Sequence, residues 1–173
     1  MTALATPRLL LEPMRLELVE AVFRGDRAEV ERLARARVPE AWPGRALVER
    51  AFSADIERIR AAPEVRLWGD RLVITRETRL VVGSVIFHGR PEDGVAEVGY
   101  GVEESFQRQG YASEATRACV EWALSEAEVH AVTATTPPWH LASIRVLEKS
   151  GLEKVGLEDH ESLGEVLRFT RRR

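Results

Sequence analysis

At 173 residues the chain is long enough for one domain with a substantial core and short for two. A net charge of −3 argues against general electrostatic attraction to nucleic acid. The single cysteine excludes an intrachain disulfide framework and suits a reducing compartment. No apolar run reaches membrane-spanning length and residues 1–15 carry no signal-peptide pattern, so the expected location is the cytoplasm, with neither membrane nor nucleic acid as a partner.

Residues 8–12 are an apolar run before Pro13 and predict a first strand. Leu16, Val19 and Val22 fall at helical spacing over residues 15–23, and Gly25 ends that helix. Asp26 followed by Glu29 is a capping-box variant and predicts a second helix through about Ala36, with Val30, Leu33 and Ala34 on one face. Pro39, Trp42, Pro43 and Gly44 make 38–44 a loop. Leu47, Val48, Ala51, Phe52, Ile56 and Ile59 predict a third helix over 45–61, broken near Ser53 and stopped by Pro63. Beyond it the pattern becomes strand-like at 65–68, 72–76 and 80–88, with turns around Gly69-Asp70 and Glu77-Thr78. The run 81–87 is that of a buried central strand, and Gly83 inside it predicts a bulge or a close backbone approach. Residues 90–94 form a hairpin loop into a strand at 96–102, which completes an antiparallel meander.

After that strand come Gln107, Arg108, Gln109, Gly110, Tyr111 and Ala112, and then an amphipathic helix over 113–127. Its apolar face carries Ala115, Ala118, Cys119, Trp122 and Ala123. A strand, a glycine turn and a helix start together make a phosphate-binding device, because the first helical N–H groups lack partners and the dipole adds partial positive charge. The same pattern also serves as an ordinary packing turn. Cys119, set among small residues, reads as packing rather than as a nucleophile. A strand at 131–136 ends at Pro137-Pro138, and a last helix spans 141–150 with Gly151 as its cap. Closing strands are expected at 154–157 and 166–170, followed by Arg171, Arg172 and Arg173 as a solvated tail. His130 and His160 read as surface residues, and no His/Cys/Asp spacing supports a metal site.

The run Gln107 to Ala112 resembles the Gln/Arg-x-x-Gly-x-Gly/Ala signature of the GNAT superfamily of N-acetyltransferases. Residues 141–152 are similar to its Asn-x-Ala-Ser-x-x-Val/Leu-x-Glu-Lys-x-Gly-Phe segment. Thr6-Pro7-Arg8-Leu9 through Pro13 resembles the Thr-x-Arg-Leu-x-Leu-Arg-Pro start of the ribosomal-protein N-terminal (alanine/serine) acetyltransferase type. The resemblance implies an α+β fold in α/β/α layers: one GNAT domain over 1–173, with a mixed, mostly antiparallel sheet split to admit acetyl-CoA. It implies acetyl transfer to a primary amine, a protein N-terminal α-amine or a small-molecule amine, by direct attack on the thioester, with no metal.

Carried over residue by residue, the amides of Gln107, Arg108, Gln109, Gly110, Tyr111 and Ala112 would hold the pyrophosphate. Main-chain groups of Tyr100 and Val102 would meet the pantetheine arm and the acetyl carbonyl. Glu97, which shares a strand face with Gly99 and Gly101, is the expected base. Ser143 matches the family's serine and would contact the coenzyme to protonate or position the thiolate; its alternative is a helix-start residue satisfying backbone donors. The family's Asn is His140 here, which either contacts the coenzyme differently, acts as a base in the acceptor site, or is a loop residue beside Trp139. His88 is a lesser candidate. An α-amine, with a pKa of ~8 against ~10.4 for lysine, suits a site with one base better. A homodimer is left open. Two other classes compete: an inactive acyl-CoA-binding sensor of the same fold, and an α/β interaction domain that binds no acyl-CoA. A single glycine in place of Gly-x-Gly-x-x-Gly disfavours a Rossmann site.

Overall fold

The computed structural model describes residues 1–41, 43, 56–160 and 164–173. Its strands are β1 (Leu4–Ala5), β2 (Leu9–Pro13), β3 (Arg71–Thr75), β4 (Val81–Phe87), β5 (Val95–Val102), β6 (Ala131–Thr136), β7 (Glu153–His160) and β8 (Gly164–Arg172). Its helices are α1 (Leu16–Phe23), α2 (Arg27–Ala34), α3 (Ile56–Ala61), α4 (Pro63–Arg66), α5 (Tyr111–Ser125) and α6 (Leu141–Lys149). The strands form one sheet in the order β1-β2-β3-β4-β5-β6-β8-β7. Every pairing is antiparallel except β5 with β6, which are joined by the α5 crossover.

Helices cover both faces, so β3 and β4 are buried at every position and read as continuous apolar runs rather than alternating ones. On one face Phe87, Val98, Ala115, Cys119 and Val132 pack beneath α5 and α6. On the other Val19, Val30, Ile59, Ile74 and Ile86 pack beneath α1–α3. Gly83 fulfils both readings of its position. The β3–β4 register shifts there, pairing Val73 with Gly83 and Ile74 with Val81, and a Cβ on Gly83 would overlap the Gly101 carbonyl oxygen. Asp26 caps α2, accepting from the Glu29 N–H at 3.1 Å.

Two expectations are corrected. Residues 65–68 are not a strand: Pro63 opens α4, its fixed φ suiting the first helical position. Trp68 then turns inward against Phe87 and Trp122, with ring centroids 5.1 Å from each. The terminal arginines are not a solvated tail, because β8 runs to Arg172 and pairs Arg171 with Val132. Arg171 Nη1 donates to the Ser150 carbonyl at 3.2 Å and Arg173 Nε to the Leu124 carbonyl at 2.9 Å. These guanidiniums satisfy carbonyls at the C-terminal ends of α6 and α5. The expected loop residue Trp42 and the 45–55 part of the third helix lie outside the described residues.

Two adjacent buried ionisable residues escaped the sequence reading. Arg71, fully buried, donates from Nη1 to Thr2 O at 2.7 Å, and its guanidinium carbon lies 4.7 Å from the Trp122 ring centroid. Asp70 beside it accepts the Phe87 N–H at 2.6 Å.

Candidate active site

The sheet opens between β5 and β6. Their pairing covers only Val95–Ala131, Ala96–Val132 and Glu97–Thr133, although β5 continues to Val102 and β6 to Thr136. His88 N–H donates to Glu97 O at 3.0 Å and Glu103 N–H to Val82 O at 2.9 Å. By antiparallel alternation, Glu97, Gly99 and Gly101 then direct their main-chain groups toward β4, while Val98, Tyr100 and Val102 direct theirs into the gap.

A cleft of about 450 Å³ occupies this region. Its walls are Tyr100, Gly101 and Val102 of β5, the turn at the start of α5, and one side of α6. The turn follows a 3₁₀ segment, Glu104–Phe106, and takes positive φ at Arg108 (61°) and at Gly110 (83°), the residue capping α5. The first intrahelical donor is the Glu114 N–H, to Gly110 O at 3.1 Å. The N–H groups of Tyr111, Ala112 and Ser113 precede it and have no acceptor within the helix. Among the described residues Arg108, Arg145 and Lys149 line the cleft and no carboxylate does, so its field suits an anion at the helix start. Gln107 Nε2 donates to Val102 O at 3.1 Å, tying the turn to the strand end.

At the start of α6, His140 Nδ1 accepts the Ser143 N–H at 3.4 Å, a long cap bond. Its ring stacks on Trp139, with centroids 5.6 Å apart and planes 2° from parallel. Ser143 Oγ lies 2.8 Å from the Tyr100 hydroxyl, which also donates to Ser143 O at 3.0 Å. Both residues are buried.

The structure therefore gathers Tyr100, Val102, Gln107, Arg108, Gly110, Tyr111, Ala112, His140 and Ser143 around one cleft. Gln109 does not line it; its carbonyl accepts from Arg8 Nη1 at 2.9 Å. Glu97 does not line it either. The Glu97 side chain lies on the α1–α3 face, with Oε2 3.6 Å from His88 Nδ1. It belongs to the last β5–β6 pair before the gap. Sequence reasoning missed Arg145, Val146 and Lys149. With Ala142 they recur at helical spacing beside Ser143, and that spacing was the available signal. Cys119 is buried and free, and burial pushes its thiol up to about 12, which suits packing and not nucleophilic chemistry. Among the described residues no His/Cys/Asp/Glu group could hold a metal ion, and no helix is long and apolar enough to cross a membrane.

The family model for the acetyltransferase (GNAT) domain matches residues 8–153. The chain is 29% identical over 154 residues to the uncharacterized N-acetyltransferase YjdG of Bacillus subtilis, covering 87% of this chain and 89% of that protein. In structure it is similar to a ribosomal-protein-S5-alanine acetyltransferase from Vibrio fischeri, with a TM-score of 0.67 at 15% identity, over 99% of this chain and 97% of the other. It is also similar to RimL, the ribosomal L7/L12 α-N-protein acetyltransferase, in complex with coenzyme A, with a TM-score of 0.62 at 17% identity, over 96% and 95%. The chain is an acetyltransferase and belongs to the GNAT family.

Proposed function

We propose that this acetyltransferase moves the acetyl group of acetyl-CoA to a primary amine, a protein N-terminal α-amine or a small-molecule amine, by direct attack on the thioester. Residues 1–173 act as one catalytic domain in the cytoplasm, a reducing compartment that the single cysteine permits. The observation that carries the reading is the gap between β5 and β6 and its continuity with the cationic start of α5. An extended amide-bearing arm fits an unpaired strand edge, and a diphosphate fits the helix start. The solved RimL complex with coenzyme A supports this donor.

In this reading the amides from Gln107 to Ala112 hold the pyrophosphate, while Tyr100 and Val102 offer main-chain groups to the arm and the acetyl carbonyl. The amine lone pair forms the N–C bond, the C–S bond breaks, and the thiolate takes a proton. Ser143 supplies that proton while taking one from the Tyr100 phenol behind it, and water restores the phenol once the products leave; the 2.8 Å contact supports the relay. Glu97, with His88 beside it, accepts the proton the amine loses. Acid and base stand on opposite faces of the sheet at the gap, which suits an amine arriving from one side and a thiol leaving on the other. In this reading His140 caps α6 through Nδ1 and the role of base goes to Glu97.

Thiol release from acetyl-CoA, measured against N-terminal peptides, polyamines and amino sugars, tests the reading. Turnover is expected on one acceptor class, with Ser143→Ala and Glu97→Gln each lowering kcat by about 10²-fold while coenzyme affinity is retained. Tight binding with no turnover on any acceptor contradicts the catalytic reading and favours an acyl-CoA sensor.

A further inference from the structure

Arg8 lies before β2, about a hundred residues in sequence from the coenzyme turn, yet it is bonded to that turn from behind. Its Nε donates to Glu114 Oε2 at 2.7 Å and its main-chain N–H to Glu114 Oε1 at 3.0 Å. Its Nη1 donates to the Gln109 carbonyl at 2.9 Å. Its guanidinium carbon stands 4.9 Å from the centroid of the Tyr111 ring, and its Nη2 would be 3.2 Å from a Cβ on Gly110. Thr6 Oγ1 completes the set, donating to Glu114 Oε1 at 2.6 Å. Arg8 does not line the cleft, whereas Arg108, Gly110, Tyr111 and Ala112 do.

Two consequences follow from elementary geometry and charge. A trans peptide is planar, with C=O and N–H pointing opposite ways. Once Arg8 takes the Gln109 carbonyl on one side, the Gly110 N–H is directed away from Arg8, toward the cleft. Glu114 lies in the first turn of α5, where a carboxylate opposes a second anion at the same helix start. The guanidinium neutralises it and holds it away from the cleft wall. Burial alone raises the Glu114 pKa, but the bonds from Thr6, the Arg8 N–H and the Arg8 guanidinium outweigh burial and lower it, so the charge to be neutralised persists at neutral pH.

We infer that Arg8 is a positioning residue for the coenzyme: it orients the Gln109–Gly110 peptide and cancels the Glu114 charge, so that the start of α5 is ready for a diphosphate. The inference rests on the acetyl-CoA reading above.

A control separates positioning from scaffolding. Arg76 Nη1 donates to Thr6 O at 2.9 Å and to Pro7 O at 3.3 Å, holding the same loop without touching the turn. The experiment is a calorimetric titration of acetyl-CoA into the wild-type protein, Arg8→Ala, Arg8→Lys and Arg76→Ala. Urea unfolding of each variant and steady-state kinetics accompany it. Arg8→Ala is expected to weaken acetyl-CoA binding about tenfold and to raise KM for acetyl-CoA by a similar factor, leaving kcat at saturation within about twofold. Arg8→Lys keeps the charge but cannot fork across Glu114 and Gln109, so its loss falls between. Arg76→Ala retains wild-type affinity even where it lowers the urea midpoint. Arg8→Ala with wild-type affinity, or Arg8→Ala and Arg76→Ala losing affinity alike, overturns the inference. A folded wild-type protein that binds no acetyl-CoA overturns the functional reading, and this inference with it.

Discussion

Tyr100 and Ser143 share two hydroxyl hydrogens, and in the free protein both are used: the phenol reaches the Ser143 carbonyl, and the two hydroxyl oxygens are 2.8 Å apart. Presenting a proton to a thiolate needs only a rotation of the serine hydroxyl, after which the phenol donates to Ser143 Oγ. Tyr100→Phe is therefore expected to lower kcat about tenfold, less than Ser143→Ala, because the serine proton survives without its polarising partner. Equal losses in the two variants contradict the relay. His140 is a second case. Its Nδ1 caps α6 through a 3.4 Å bond, so His140→Asn, with a shorter acceptor arm, should hold or raise stability. His140→Ala should cost about 1 kcal/mol by urea unfolding, with the coenzyme still bound. Ser143 and the Asn-to-His change were legible in the sequence because they sit in a short segment. The link to Tyr100 was not, since it joins residues on separate elements through the gap.

Gly83 links the local chain to the architecture. Its missing Cβ lets β5 lie against the bulged stretch of β4, with the Gly101 carbonyl in the space a side chain would fill. Gly83→Ala is expected to destabilise the protein by about 2–4 kcal/mol, read as a lower urea midpoint, and to weaken acetyl-CoA binding because β5 carries the cleft wall. A glycine in a β-branched run made this legible. Asp70 was not legible. Burial holds its carboxyl well above the usual range, against the opposing pull of the Phe87 N–H. The folded state then keeps a proton that the unfolded chain releases, so this group's contribution to stability falls as pH rises from about 4. Asp70→Asn keeps an acceptor for the Phe87 N–H and removes the ionisation. Its stability relative to wild type should rise between pH 5 and pH 8; a difference independent of pH contradicts the assignment. The short helix α4 and the terminal arginines were misread for different reasons: Pro63 reads as a stop although its fixed φ also opens a helix, whereas Arg171 is decided by its pairing with Val132 and its bond to the Ser150 carbonyl, which local pattern does not carry.

Among the described strands the sheet is parted at the parallel β5–β6 pair, with β5, the start of α5 and one side of α6 walling the opening on one face. The meander, the crossover and the turn were readable from period changes and one glycine. The depth of the opening was not, because it depends on where β5 and β6 stop pairing. The side of the sheet on which Glu97 lies follows from strand alternation, but its pairing with His88 needed the fold. Whether this opening is an acetyl-CoA site is decided by a calorimetric titration of the wild-type protein with acetyl-CoA. One site per chain is expected, with affinity that falls as salt is raised because Arg108, Arg145 and Lys149 contribute. A loss of at least about tenfold is also expected when Arg145→Ala and Lys149→Ala are combined. A folded protein that takes up no acetyl-CoA, or binds it unchanged after both substitutions, contradicts the account.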